Sequence, residues 1–525
     1  MPVNIGLDEF VVRTHQAMKR TSRVKRKYPK ILRNRKSRID RRLAPRNWCD
    51  QAKPMLRGGN VHYEMAERTS AVGCGGLGVM HSLAQRLGLV KEIDEHLHLL
   101  KVHLPYHESD HVLNIAYNIL AGGVRLEDIE LRRQDESFLD GLGAQRIPDP
   151  TTAGDFTRRF SPESILTLQE CINRTRQRVW RQQPEGFLDD AFIDVDGSIA
   201  GTLGECKGGI GLSYKGIWGY HPLVVSLANT NEVLFLVNRP GNVPSHQDSV
   251  EWIDRAIEVV RPHAGRITLR GDTDFSHTTQ LDRWDAGGVK FILGLDAHAK
   301  AVALAEALPA KAWTPLVRAP KYEILTEPRT KPARVKEAIV REKGYENIVL
   351  LGEDVTHVDY QPAACTKSYR MVILRKNLSV QRGEEELFED VRYFFYLTNK
   401  WELTEAEVVG QANGRCDQEN VVAQLKHGVN AMRMPVNDLV SNGAYMVMAA
   451  LAWNLKAWFA LLVPEREKGL ELLKMEFRGF LQAIMLLPCQ IVRTGRRILW
   501  RIMSYNRWLT DLFATFERIM KLEAG

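Results

Sequence analysis

Three short stretches place acids where ion chemistry could occur. In "AFIDVDGSIAGT" (Ala191 to Thr202) Asp194 and Asp196 alternate along a β-branched run, and side chains two apart on a strand point the same way. In "ITLRGDTDFS" (Ile267 to Ser276) a strand-like run ends in glycine and then offers Asp272 and Asp274. In "NGRCDQENVVAQLKHGVNAMRM" Arg415, Glu419 and Lys426 fall at i, i+4 and i+11. On a helix those offsets are roughly 400° and 1100°, one face. The plain readings are a solvated turn for Asp272 and Asp274 and a salt-bridge ladder for the helix. The sharper reading puts carboxylates at strand tips with a helical glutamate opposite, an all-oxygen donor set that suits Mg²⁺ or Mn²⁺ rather than zinc.

Such acids need a scaffold, and the flanking sequence supplies one. After the Asp196 strand, "HPLVVSLANTNEVLFLVNRP" reads as a hairpin turned at "ANTNE". "SHQDSVEWIDRAIEVVRP" reads as an amphipathic helix closed by Pro262, followed by the Asp272 strand and then "GVKFILGLD". That order predicts an α/β fold with a mixed sheet flanked by helices, whose chemistry gathers where strands end. The 146 residues between Asp272 and Glu419 exceed what a strand-to-helix connection needs. "ENIVLL" and "SYRMVIL" within them predict an inserted, mostly β domain before a return strand "VRYFFYLTN". The resulting division is a basic arm over 1–48, a helical region over 49–187 (to which the resemblance given below assigns DNA binding) and the first part of the core over 188–299. A β-rich insertion over 300–389, the second part of the core over 390–465 and a C-terminal helical region over 466–525 complete it.

The 525 residues carry a net charge of +8, with 44% hydrophobic and 26% charged residues, as in an ordinary multidomain globular chain. Charge is concentrated at the N-terminus: from Arg13 to Arg46 there are fifteen Lys or Arg and one acid, Asp40. Such a block cannot fold alone against its own repulsion, and it suits phosphate neutralisation through Arg23, Lys25, Arg26, Lys27, Arg33, Arg35 and Lys36. Near the other end, "CQIVRTGRRILWRIMSYNRWL" interleaves Arg493, Arg496 and Arg497 with Trp500, Tyr505 and Trp508. This mix fits DNA contact or an amphipathic helix packing its aromatics on the core. "GCGGLG" (Gly73 to Gly78) matches a dinucleotide-loop spacing but lacks a preceding strand, so it reads as a glycine-rich helix start. The histidines of "EHLHLLKVHLPYHESDH" lack a metal-site spacing. The most apolar window, "AYMVMAALAWNLKAWFALLV", reads as a core helix rather than a membrane span because Asn454 and Lys456 interrupt it. Seven cysteines without a C-x-x-C pair and an N-terminus with no apolar signal core point to free thiols in a reducing cytoplasm.

"FIDVDGS", "LRGDTDF" and "ANGRCDQENVVAQLK" resemble the three acidic motifs of insertion-sequence transposases with an RNase H-like DDE core. The third is similar to a tyrosine-arginine-glutamate-lysine signature at Arg415, Glu419 and Lys426, with Ala412 at the tyrosine position. "SYKGIWGYHPLVVSLANTNEVLFLVNRPGNVPSH", "LAWNLKAW" and "CQIVRTGRRILWRI" resemble the insertion-sequence 1380 group. The resemblance implies a catalytic triad of Asp196, Asp272 and Glu419. Asp196 is chosen over Asp194 by Ser198 two residues on, and Asp272 by the preceding Arg270–Gly271 pair. It implies two Mg²⁺ or Mn²⁺ ions about 3.5–4 Å apart, phosphate contacts from Arg415 and Lys426, and double-stranded DNA partners (terminal inverted repeats and target). It also implies a homodimer in the synaptic complex and a cytoplasmic, nucleoid-associated bacterial protein. Asp274 stands where the family has glycine, as a turn acid or a spare ligand. A catalytically silent DNA-binding relative and a nuclease that never joins ends are the alternatives.

Overall fold

The computed structural model describes residues 28–44, 55, 62–318, 339–340, 342–383, 385–495 and 497–523. Its centre is a nine-stranded mixed sheet. Five strands form the core: β1 (Asp190–Gly197), β2 (Leu223–Leu227), β3 (Glu232–Val237), β4 (Arg266–Gly271) and β5 (Lys290–Leu295). In space they run β3-β2-β1-β4-β5. The first three pair antiparallel, and the tight turn at Asn231 (φ +55°) joins β2 to β3. β1, β4 and β5 run parallel, which needs a crossover connection. Helix α4 (Ser249–Val260) provides it between β3 and β4, burying Ile253, Ala256, Ile257 and Val260.

The insertion contributes β6 (Glu346–Tyr360), β7 (Tyr369–Arg382) and β8 (Glu385–Thr398), a long antiparallel ribbon. Its last strand pairs Phe395–Thr398 against Leu295–Ile292 of β5, so the ribbon extends the core sheet. The single strand β8 crosses the 389/390 division drawn from the sequence.

The helices of the N-terminal region include α1 (Leu77–Arg86), α2 (Glu108–Leu120) and α3 (Pro162–Trp180). Beyond the ribbon come α5 (Glu405–Asn413), α6 (Cys416–Ala423), α7 (Leu439–Leu461) and, near the end, α8 (Leu509–Ile519). Helix α7 contains the membrane-like window, and that window is wholly buried among α2, α3 and β3. Its Asn454 clasps the outer edge of β3, accepting from Val233 N at 3.0 Å and donating to Val233 O at 3.1 Å. Gln169 and Asn173 of α3 bond Leu236 N and Leu234 O on that edge. An open edge strand is a pairing hazard, and here helical amides cover it. Under the same edge, Arg176 and Glu232 form a wholly buried ion pair at 2.9 Å.

The C-terminal segment departs from the amphipathic-helix expectation. Strands β9 (Cys489–Thr494) and β10 (Arg497–Ile502) form a hairpin that also pairs with Ala71–Val72. Cys489 and Ile491 are buried on one face of β9, and the chain reverses at a turn at Gly495 (φ +32°). Trp500 lies across Gly78 and Gly141, where an added Cβ would come within 2.6 and 2.7 Å of its ring. That packing accounts for one glycine of "GCGGLG". Residues 28–43 of the basic arm form an exposed helix. It docks on the C-terminal elements through Arg35, which donates to Ile502 O (3.0 Å) and Ser504 O (2.8 Å), and through Tyr28 stacked on Phe513.

Candidate active site

Strand register places the acids. β1 and β4 lie side by side in parallel with Asp194 opposite Arg270, so the two chains reach the same end of the sheet together. Asp194 is fully buried and chelated by Arg270, at 2.6 Å from Nε and 2.7 Å from Nη2. Arg270 also donates to Gln411 O at 2.9 Å and lies over the Phe192 ring. A charged residue inside a buried strand requires such a partner. Burial pushes the Asp194 carboxyl up from its ordinary value, opposed by the Arg270 guanidinium. With both oxygens held, Asp194 is a structural acid.

One turn of chain further on, the surroundings change. Asp196 sits at the mouth of β1 and Asp272 immediately after β4, with side chains 18% and 35% exposed. Both face one guanidinium: Arg415 Nη1 is 3.3 Å from Asp196 Oδ2 and 3.9 Å from Asp272 Oδ2. Burial pushes Asp196 up to about 6; Arg415 pulls it down, while Asp272 and Glu419 push it up. Asp272 is likewise raised by burial, against the pull of Arg415.

The turn that presents Asp272 depends on two glycines. A Cβ at Gly271 would lie 2.8 Å from Phe275 Cβ, and one on Gly294 of β5 would lie 2.8 Å from Thr273 N. Asp272 accepts the Asp274 backbone N–H at 3.1 Å, and the Asp274 side chain is exposed. The glycine-terminated strand therefore offers one acid to the site and uses the next residue's amide to shape the turn.

On the opposing wall the chain breaks at Gly414, where a Cβ would sit 2.5 Å from Arg270 Nη1. Arg415 is the N-terminal cap residue of α6 rather than part of its interior. Gln418 is buried and pins α6 to the sheet by donating to Asp194 O (3.2 Å) and Val224 O (2.9 Å). Glu419 follows on the exposed side, near enough for its charge to raise Asp196. The uniform α-helical face expected through Lys426 does not persist, because Gln424–Gly428 winds as a π turn and shifts the angular phase. π turns recur at functional sites. Lys426 is nonetheless half-buried in the field of Asp196 and Lys215, and burial lowers its pKa. Ala412 packs with Tyr396 against a small apolar cluster that includes Val408 and Val409.

Among the described residues no three His, Cys, Asp or Glu side chains stand close enough together to hold one ion. The donor chemistry of the Asp196–Asp272 pair still fits a hard divalent cation: two carboxylates converge and share a positive partner. The structure gathers Asp196, Asp272 and Arg415; Glu419 stands beside them, not among them.

The basic candidates are scattered. Arg33 and Arg497 are exposed. Lys36 is paired with Asp40 at 2.6 Å, Arg493 with Asp140 at 2.7 Å, and Arg35 is spent on backbone carbonyls. Arg23, Lys25, Arg26, Lys27 and Arg496 lie outside the described residues. Sequence reasoning named Arg270 only beside Asp272 and missed its grip on Asp194, for which an arginine inside an otherwise apolar strand was the available signal; it missed Gln418 altogether.

No curated protein matches the sequence. A solved piggyBac transposase synaptic complex with hairpin DNA is similar at a TM-score of 0.34 and 10% identity, over 79% of this chain and 83% of that one. The family described as "Transposase DDE domain group 1" matches residues 67–524, so the chain belongs to the DDE transposases.

Proposed function

We propose that this chain is a cut-and-paste transposase that binds the terminal inverted repeats of its insertion sequence, cleaves DNA and joins the freed ends to a target. The observation that carries this is the convergence of Asp196 and Asp272, from adjacent parallel strand ends, on the Arg415 guanidinium. Asp196, Asp272 and Glu419 would hold Mg²⁺ or Mn²⁺, two ions per site. A bound divalent cation supplies Lewis acidity at phosphorus and an activated water. The chain's own residues do the positioning. Asp194 and Gln418 fix β1 against α6, Arg415 offers a planar fork to a phosphate, and Lys426 offers a point charge. The exposed basic helix over 28–43 and the β9–β10 hairpin form a surface suited to phosphate contact, which positions DNA without reading sequence. Cutting two element ends together calls for a homodimer, and a bacterial, nucleoid-associated cytoplasmic location belongs to the same proposal.

The test is cleavage and strand transfer on DNA bearing the element ends, with Mg²⁺. Asp272→Asn is expected to abolish both while retaining DNA binding, and Asp274→Asn to retain both. Wild-type cutting by Asp272→Asn would overturn the site and favour another set of ligands, whereas DNA binding without cutting by wild type would favour a silent DNA-binding protein. Cleavage without joined products would reduce the activity to that of a nuclease.

A further inference from the structure

Arg415 reaches across from the cap of α6 into the space between the two strand-end acids. Among the described residues its side-chain hydrogen bond and ion pairs go to those two carboxylates, at 3.3 Å and 3.9 Å. Its Nη1 hydrogen-bonds Asp196 Oδ2 and faces Asp272 Oδ2, on the two acids proposed to hold a divalent cation. A magnesium-sized ion sits about 2.0–2.1 Å from its oxygen ligands, so an ion bridging Asp196 and Asp272 and the guanidinium exclude each other. The side chain is four-fifths buried, with 19% exposure, and it stands at the Gly414 break between α5 and α6. Gln418 pins the backbone beyond it. The long side chain can therefore swing while α6 stays in place.

We propose that Arg415 is a cation placeholder: it holds Asp196 and Asp272 together until a divalent cation takes both carboxylates, and its released fork then grips a DNA phosphate. The inference rests on the reading of Asp196 and Asp272 as cation ligands. Its consequence is thermodynamic. Metal and phosphate both favour the displaced side chain, so each raises the affinity for the other, reciprocally. The site would then load its ions on DNA rather than free in solution.

Lys426 provides the control. It lies in the field of Asp196, yet no ion pair within 4 Å joins the two, so Lys426→Gln removes the same unit of charge without clearing the space between the acids. Mn²⁺ binding to the full-length protein, followed by the electron paramagnetic resonance of free Mn²⁺ at neutral pH, reads the competition directly. Without DNA, Arg415→Gln is expected to bind Mn²⁺ about tenfold more tightly than wild type, within the usual range of coupling between sites. Lys426→Gln is expected to change affinity by less than about threefold, as a screened charge does. A short generic duplex is expected to tighten Mn²⁺ binding to wild type and to leave Arg415→Gln nearly unchanged. If Arg415→Gln matches wild type, or matches Lys426→Gln, while Asp272→Asn loses the ion, the placeholder idea alone is overturned. If Asp272→Asn binds Mn²⁺ like wild type, the ligand assignment itself fails.

Discussion

Glu232 and the Asp196–Asp272 pair belong to one sheet and meet opposite surroundings. Glu232 is wholly buried, and its two oxygens receive four donors: Arg176 Nε (2.9 Å), Trp458 Nε1 (2.7 Å), Trp180 Nε1 (2.9 Å) and Thr230 Oγ1 (2.6 Å). It ties α3 and α7 to β3. Asp196 and Asp272 are partly exposed and share one arginine at 3.3 and 3.9 Å. A saturated buried carboxylate has no capacity left for a ligand, and removing it strands its partners. An undersaturated pair at a strand mouth retains lone pairs for a cation. Saturation, more than burial, separates Glu232 and Asp194 from the pair proposed to hold the cation.

That contrast can be broken by mutation. Glu232→Ala leaves Arg176 and two indole N–H groups buried without their acceptor and should cost about 3–5 kcal/mol in urea unfolding. The folded fraction should still cleave. Asp194→Ala removes the partner of Arg270, which keeps the Gln411 carbonyl and the Phe192 ring; about 3 kcal/mol is expected. A loss under about 0.5 kcal/mol in either variant would show that saturation does not mark structural acids.

Gly294→Ala tests presentation. Its Cβ meets Thr273 N at 2.8 Å, so the Asp272 turn must shift. A shift near 1 Å costs about a hundredfold in rate, with a smaller fall in stability. The pH response sharpens the comparison further. Asp196 titrates near 6 rather than 3.8, so protons compete with the ion at and below that pH. Mn²⁺ affinity should fall as pH drops through about 6, by about tenfold per unit for one displaced proton. The stability effect has the other sign. The native state holds this proton more tightly than the unfolded chain does, so this group's contribution to stability declines as pH rises from 3.8 to about 6. Asp196→Asn should flatten that decline. Smallest of all, Asp274→Asn, an exposed turn residue, should alter stability by under about 0.5 kcal/mol.

Much of this site was legible in the sequence. Alternation in "FIDVDGS" placed two acids on one strand face, and "ANTNE" located the hairpin that leads β2 into β3. What was hidden depended on distant partners. Nothing local distinguishes Glu232, one residue past a turn, from a solvated glutamate; its four donors come from three places in the chain, the helix α3, the turn at Thr230 and the helix α7. The division of labour between Asp194 and Asp196 follows from the parallel register that sets Arg270 beside Asp194. The β9–β10 hairpin was hidden because its arginine and aromatic content suggested a helix. The π turn at Gln424–Gly428 leaves no mark in a residue pattern and altered the expected face of Lys426.

The most direct measurement takes Glu232→Ala and Asp196→Asn side by side, reading urea unfolding and the single-turnover cleavage rate on one preparation of each. The account predicts a crossed result. Glu232→Ala loses several kcal/mol of stability, about 3–5, and keeps its rate per folded molecule. Asp196→Asn keeps stability to within about 1 kcal/mol and loses cleavage by at least about a hundredfold. If Asp196→Asn instead unfolds the protein while its folded fraction cuts normally, the strand-end pair is structural and the catalytic assignment is wrong.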